Sequence, residues 1–495
     1  MNLPSTAALL MGLSASLMLA VGPVVAQPWF VESEFRRLPE FLLHGDSLGL
    51  DPNRMAPLAD TVQPAAGVSP RGPWHTRQWQ RQIAWQTRDT LAIGAWLEAG
   101  DVSGPGTDPQ AGITGSLDWR PHHDLRFHGT LTALVNEPAP QQFPGSWGDV
   151  HAGNREAWVE WQQPWIRLRL GRQTLNTGPE AGRSLLLSGN NSLDGYSLEL
   201  RPGRRPDGLW FGTFHLALDD MLEGNLHYGR WLAGHRLGYT KRDKWSLALG
   251  EAILYGSYHG GPSWAAMNPL LVYHAVQMNG FEANTVFHAS GWWKATPALL
   301  LTGEMLLDDL QLDDATADDR EPNEWALQLD ARAALPADLD LHTGYTRIAQ
   351  RTYNSKFAHQ AWLYRGRLLA HPLGADADEW RFGLSWNGSP LFRPAYTMTA
   401  RRQGERTPWV PFDEPWLAPD AAADYSESFP TGEVLESLTH ELSLEAGLGG
   451  WNLRLAWQHT KDEPLPGGSR GIEGMDVVQV ELFGGVANVF GALHP

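Results

Sequence analysis

Apolar and polar residues alternate one by one along most of the chain. Leu91, Ile93, Ala95 and Leu97 alternate with Ala92, Gly94, Trp96 and Glu98. Leu125, Phe127, Gly129, Leu131, Ala133 and Val135 alternate with Arg126, His128, Thr130 and Thr132. The same period recurs in Trp380, Phe382, Leu384 and Trp386, and again in Trp451, Leu453, Leu455 and Trp457. A period of two is that of a β-strand with two unlike faces. One such segment fits any half-buried antiparallel strand. About eighteen of them, with few helices between, predict an all-β protein, a transmembrane antiparallel β-barrel built from strands of roughly 10 residues.

The connections sharpen this expectation, because short and long ones take turns. The short ones include Gln163-Pro164, Lys241-Arg242-Asp243, Ala295-Thr296, Asn387-Gly388-Ser389 and Gly449-Gly450. The long ones cover about 100–112, 136–153, 174–192, 255–281, 309–323, 350–377, 403–435 and 461–473, with a lesser one near 218–224. Outer-membrane barrels have short periplasmic turns and long extracellular loops, and a soluble sandwich has no reason to alternate in this way. If 90–99 rises from the periplasm, the last strand, about 474–483, returns to it, and the strand number is even. That parity excludes 75–86 from the wall despite Trp79, Ile83 and Trp85.

Upstream of the alternation the pattern differs. Ala7 to Val21 are apolar or small, and Val24-Val25-Ala26 offers small residues before Gln27, so 1–26 reads as a signal peptide, although its start carries no Lys or Arg. Residues 27–89 read as a small, partly helical periplasmic segment and 90–495 as the barrel. No later stretch approaches the roughly 20 apolar residues of a membrane helix.

Composition narrows the possibilities. The 24 Trp residues suit aromatic girdles at the membrane interfaces. Trp119, Trp165, Trp245, Trp386 and Trp451 lie beside the short turns, whereas Trp264, Trp362, Trp409 and Trp416 fall on long loops, where stacking on sugars is the rival role. The absence of Cys excludes disulfides, thiolate metal sites and a thiol nucleophile. A net charge of -18 excludes nucleic acid as a natural partner.

If the apolar set faces lipid, the other set lines the lumen. Glu156 and Glu160 then face inward from one strand and Arg167 and Arg169 from the next, with Glu160 close to Arg169 across the pair. Asp330, Arg332, Asp340 and His342 form a similar group, as do Glu441, Glu445 and Arg454. Such ladders either hold the barrel in shape or line a path for a polar ligand such as a glycan, and both readings stay open. The acidic loop 308–321 contains Asp313, Asp314 and Asp318, which are weak candidates for a hard cation. No calcium-loop spacing is present, so a solvated loop without metal is expected. No cofactor is implied. His288 and Ser290 share a strand face, but no nucleophile elbow, zinc-protease helix or phosphate loop occurs, and no enzyme is expected.

Three stretches resemble the Wzi-like capsule-assembly outer-membrane proteins. The first runs from Leu168-Arg169-Leu170-Gly171-Arg172-Gln173 to Gly178-Pro179 and Leu186-Leu187-Ser188-Gly189-Asn190, with Thr177 where many members carry Trp. The second is Gly250-Glu251 to Tyr255-Gly256, with Asn268-Pro269 beyond it. The third is His371-Pro372-Leu373-Gly374 followed by Asp376 and Asp378. The resemblance implies an eighteen-stranded barrel that helps assemble or attach capsule or other surface polysaccharide and binds glycan at its extracellular face. Its partners would be outer-membrane lipid and that polysaccharide. Trp264, Trp362, His371, Asp376, Asp378 and Trp409 are the candidate glycan-binding residues. Pro372 and Gly374 predict a rigid turn, serving either as a preformed polar surface or as a plug folded inward. The Leu168–Gln173 stretch also resembles alginate-export barrels, so a porin or polysaccharide export channel is the alternative.

Overall fold

The computed structural model describes residues 90–103, 110–122, 124–135, 146–148, 150–180, 182–202, 207–223, 225–241, 244–258, 261–311, 320–389, 391–418, 421, 425–448, 451–464 and 472–491. The expected signal peptide, the periplasmic segment and the 75–86 stretch lie outside these residues. Thr90–Ser103 pairs antiparallel with Gln110–His122 on one side and with the last strand, Ile472–Gly491, on the other. The sheet therefore closes on itself. Among the described residues it holds 20 strands. Two of these, Ser146–Trp147 and Met221–Glu223, are short pieces folded back on a longer neighbour. The remaining eighteen form the wall, each antiparallel to its neighbours in sequence. Closure leaves no unpaired edge, which a bilayer would not tolerate.

The wall strands match the sequence expectation in position and differ in length. The last was expected over about 474–483. It runs for 20 residues because its register with the first strand continues from Ser103↔Val478 to Thr90↔Gly491. The lesser loop near 218–224 carries the short piece Met221–Glu223, which extends the hairpin by pairing with Leu226–Tyr228. Among the described residues no helix is long and apolar enough to cross a membrane.

The alternation sorts side chains as a barrel in lipid requires. Leu237, Leu247, Leu249 and Leu329 point outward and are exposed, while Thr240, Ser246, Gln328 and Asp330 on the same strands point inward and are buried. This inverts the soluble rule, because the outer solvent is hydrocarbon. Aromatic residues ring the short-turn end. Trp119 stacks on Phe127 at 5.1 Å and Tyr239 on Trp245 at 5.3 Å, and Trp386 lies 5.5 Å from Phe392. Trp165 and Trp293 are exposed at the same end. Such rings belong at the headgroup level, where one edge is apolar and the other wet. The side chain of Trp451 lies outside the described residues.

Candidate functional site: a plug across the lumen

Two long connections fold into the bore. Leu185, Leu186 and Leu187 of the segment 177–187 are buried against Tyr353, Trp362, Leu369 and Leu373 of the segment 349–376. Around them the inward positions of the wall change character. Leu175, Leu193, Leu216, Leu232, Leu254, Val286, Leu306 and Ile348 all face inward, and all join the same apolar cluster. These residues sit on successive strands toward the long-connection end. The wall is thus polar within the bore and apolar where the plug meets it.

A loop buried in this way must satisfy its own backbone. Leu363–Tyr364 and Arg367–Leu368 pair as a small hairpin, whose two turn residues Arg365 and Gly366 have φ of 50° and 73°. Positive φ at both positions is the tight turn that matches strand twist. Ser188 donates its backbone N–H to the Leu369 carbonyl at 3.1 Å, and Asn191 donates to the Leu368 carbonyl at 2.8 Å. From another part of the wall, Arg230 donates to the carbonyls of His359 at 2.7 Å and Ala361 at 2.6 Å. The Tyr353 hydroxyl donates to the Leu185 carbonyl at 2.7 Å, tying the two loops together.

Charged groups anchor the plug further. Glu180 accepts from Arg332 at 2.5 Å and from Arg381 at 2.9 Å, and Arg381 also donates to Asp330 at 2.8 Å. His342 lies 3.2 Å from Asp330, and Arg183 pairs with Glu379. Burial opposes ionisation of Glu180, but the guanidinium groups of Arg381 and Arg332, helped by His342, hold its carboxyl well below the usual carboxylate range. Nearby, Glu304 accepts from the Ser184 hydroxyl at 2.8 Å and the Leu185 N–H at 3.0 Å, with His288 at 2.9 Å. The Ser184 hydroxyl therefore engages the acid and not the imidazole, and the trio lacks the order of a hydrolytic triad. Gly178 is required beside it: a Cβ there would lie 1.9 Å from Glu304 Oε1.

Glu180, Asp330 and His342 are close enough to offer one ligand atom each to a cation. The guanidinium groups of Arg332 and Arg381 already occupy those carboxylates, so the set is neutralised from within. Asp313, Asp314 and Asp318 lie outside the described residues.

The structure places the expected lumen charges on the inward face. Glu160 stands across from Arg169 and accepts from it at 2.7 Å, and the Arg169 guanidinium lies 4.0 Å from the centre of the Trp158 ring. Arg167 lies 3.9 Å from the same carboxylate. Glu156 binds the Thr174 hydroxyl at 2.7 Å, and Arg454 reaches diagonally to Glu441 at 2.8 Å. Sequence reasoning missed Asp118 with Arg126, Glu304, Glu180 and Arg381. Asp118 and Glu304 sit in alternating segments and were findable by parity. Glu180 was not, because nothing local says that its loop turns inward.

The six candidate glycan residues do not come together. Trp362, His371 and Asp376 are all 0% exposed. The rigid turn forms as expected, with φ of 77° at Gly374, and it serves the plug. His371 Nδ1 accepts from the Leu373 N–H at 3.1 Å. Its burial, with Arg183 and Arg381 near, pushes the imidazole well below its ordinary pKa. Asp376 accepts from the backbone of Arg406 and Thr431, each at 3.0 Å, and so pins the 404–434 loop above the plug. Asp378 falls on the outward face of its strand and pairs with Arg402 at 2.5 Å. Trp264 lies on the outside of the wall. Trp409 remains on the upper surface, its ring exposed and its Nε1 donating to the Gly366 carbonyl of the hairpin at 2.8 Å.

No protein-family description matches the chain, and no curated protein matches it. Solved structures do. Wzi, described as an outer-membrane carbohydrate-binding β-barrel involved in group 1 capsule assembly in Escherichia coli, matches 84% of this chain and 88% of its own at 12% identity and a TM-score of 0.53. OccAB4 of Acinetobacter baumannii covers 82% of this chain and 99% of its own at 10% identity and a TM-score of 0.46. OprD of Pseudomonas aeruginosa covers 80% and 95% at 11% identity and a TM-score of 0.45. At these identities the likeness is one of architecture: the chain has the fold of an eighteen-stranded outer-membrane β-barrel.

Proposed function

We propose that this protein is a plugged outer-membrane barrel that takes part in assembling or attaching surface polysaccharide, with its long connections outside the cell and glycan bound on their surface. One observation carries the reading. The three stretches that resemble the capsule-assembly family are far apart in sequence, yet they meet in the plug. Ser188 of the first is bonded to Leu369, just before the third, and Arg183 of the first pairs with Glu379, just after Asp378 of the third; Leu254 of the second joins the apolar cluster that holds Leu187 and Leu373, and Gly256 lies against His359. Generic wall strands would have no reason to share these contacts. Wzi, of like fold, is described as carbohydrate-binding. Trp409 is the exposed aromatic face above the plug and the residue we assign to sugar stacking.

Two measurements test this. Deleting the gene should reduce the amount or the retention of surface polysaccharide, read by fractionation, and Trp409→Ala should weaken binding of the extracted glycan to the purified protein. Unchanged polysaccharide on both counts rejects the role.

A porin or polysaccharide export channel is the second reading. It is favoured by one feature, the inward positions on the strands Phe392–Gln403 and Leu435–Leu448. Arg393, Thr397, Thr399, Thr439 and Glu441 are polar, half-buried and outside the apolar plug cluster. Single-channel recording separates the two: the plugged reading expects no steady conductance, and a stable open level establishes the channel.

A further inference from the structure

The connection between Trp245–Ser257 and Ala283–Thr296 runs differently from the two that form the plug. It turns away from the bore and lies on the outer face of the wall. Its helices, Trp264–Met267 and Tyr273–Met278, bury Ala266 and Tyr273 against Ala233, Ile253 and Tyr255, all of which point outward. Strand parity makes the side unambiguous, since Leu254 and Leu232 point into the plug.

The outer wall beneath this segment is unusually polar for a lipid-facing surface. His215, Glu251 and Thr285 all point outward there. The segment covers them. The Tyr255 hydroxyl lies 3.0 Å from His215 Nε2 and accepts the Ser263 N–H at 2.9 Å. Glu251 accepts the His274 N–H at 3.1 Å, and Thr285 meets His274 and Gln277. In return the segment shows solvent an apolar surface: Trp264 and Leu270 are each 84% exposed, Met278 77%, and Val272 is exposed beside them.

We infer that the segment 261–282 is a foot seated in the membrane, its outer surface in contact with lipid of the outer leaflet. Three observations name that occupant. From Tyr258 through Phe281 there is no Asp, Glu, Lys or Arg, whereas the connection 404–434 carries Glu405, Arg406, Asp413, Glu414, Glu427 and Glu433. A connection surrounded by water has no reason to discard its charges. The exposed apolar surface is also continuous with the lipid-facing band below it, through Phe287, Leu249 and Leu247. Finally, the segment hides the polar groups that hydrocarbon would otherwise meet, which is the satisfaction that a bilayer demands. Trp264 and Tyr258 suit the headgroup boundary.

The chain has no Cys, so one introduced thiol is a unique label. Leu270→Cys and Met278→Cys, with Leu417→Cys on the charged upper loop as reference, are labelled with a polarity-sensitive maleimide dye. The full-length barrel is then reconstituted in phospholipid vesicles, and its fold is checked by heat-dependent gel mobility. The labels at 270 and 278 should be blue-shifted, quenched several-fold more by lipids brominated near the headgroup than the label at 417, and protected from iodide. Iodide quenching equal to that at 417 would overturn the inference. Protection from both quenchers would also overturn it, pointing instead to a second copy of the chain on this face. If either variant does not fold, Val272→Cys takes its place.

Discussion

Glu180 concentrates the electrostatics of the plug in one side chain. Replacing it with Gln leaves Arg332 and Arg381 buried with one acceptor fewer, and breaking a buried ion pair costs about 3–5 kcal/mol. Glu180→Gln should therefore loosen the segment 177–187, seen as new protease cleavage there while the barrel keeps its folded gel mobility. The pH dependence follows from the sign of the shift. Glu180 has a folded-state pKa below its ordinary 4.5, so its contribution is complete above that pH and is lost as the pH falls through the lower value. His371 is also depressed, from an ordinary 6.5, so its part begins to be lost earlier, as the pH falls below about 6.5. Protease access to the plug should thus rise in acid, and His371→Gln should remove the part nearest neutrality. At Gly178, Ala would drive a methyl group into the Glu304 carboxylate. Overpacking of this kind costs about 1–3 kcal/mol, and a lowered temperature of barrel unfolding on gels would register it. Thr177 also has a definite job. Its hydroxyl accepts the Leu187 N–H at 3.0 Å, which calls for a small polar residue at this position.

At the scale of elements, the plug is two loops that stabilise one another. Trp362 is its largest wholly buried ring, and Trp362→Ala should cost about 3–5 kcal/mol by leaving a cavity. Removing the hairpin outright, 363–368, should leave the wall closed, because every wall strand is paired without it. On the plugged reading, intermittent conductance in planar bilayers should then appear where the intact protein is expected to show none. Wall strands were legible in the sequence because period two needs only neighbours two residues apart. The turn at 371–374 was legible as a rigid shape from Pro372 and Gly374, with a plug folded inward and an open polar surface as its two readings. Burial depends on Leu185 and Tyr353, which lie far away along the chain.

For the whole molecule, the eighteen strands make a frame whose ends differ: short turns with aromatic rings at one, plug, roof and foot at the other. The roof rests on Arg351, which donates to Glu427 at 2.6 Å and to the Asp413 carbonyl at 2.6 Å, and on Asp376 beneath. Membrane contact, closure of the lumen and the glycan surface would thus be assigned to three separate connections of one barrel. Loss of the plug should change conductance without changing lipid contact at 270 and 278, and the two assays together measure that independence.

The sequence by itself determined the all-β architecture, the strand number and the inward set of Glu156, Glu160, Arg167, Arg169, Asp330, Arg332 and Arg454. Each of these follows from a local period or from the parity of the connections. Only the tertiary structure decided where the long connections go. Trp264, Trp362 and Trp409 look alike in sequence, each an aromatic residue on a long loop. One lies on the lipid side, one is sealed in the plug, and one is open above it. The difference arises from contacts between residues far apart along the chain: Ala266 beside Trp264 packs with Ile253, Trp362 joins the cluster of Leu185, and Trp409 donates to the Gly366 carbonyl.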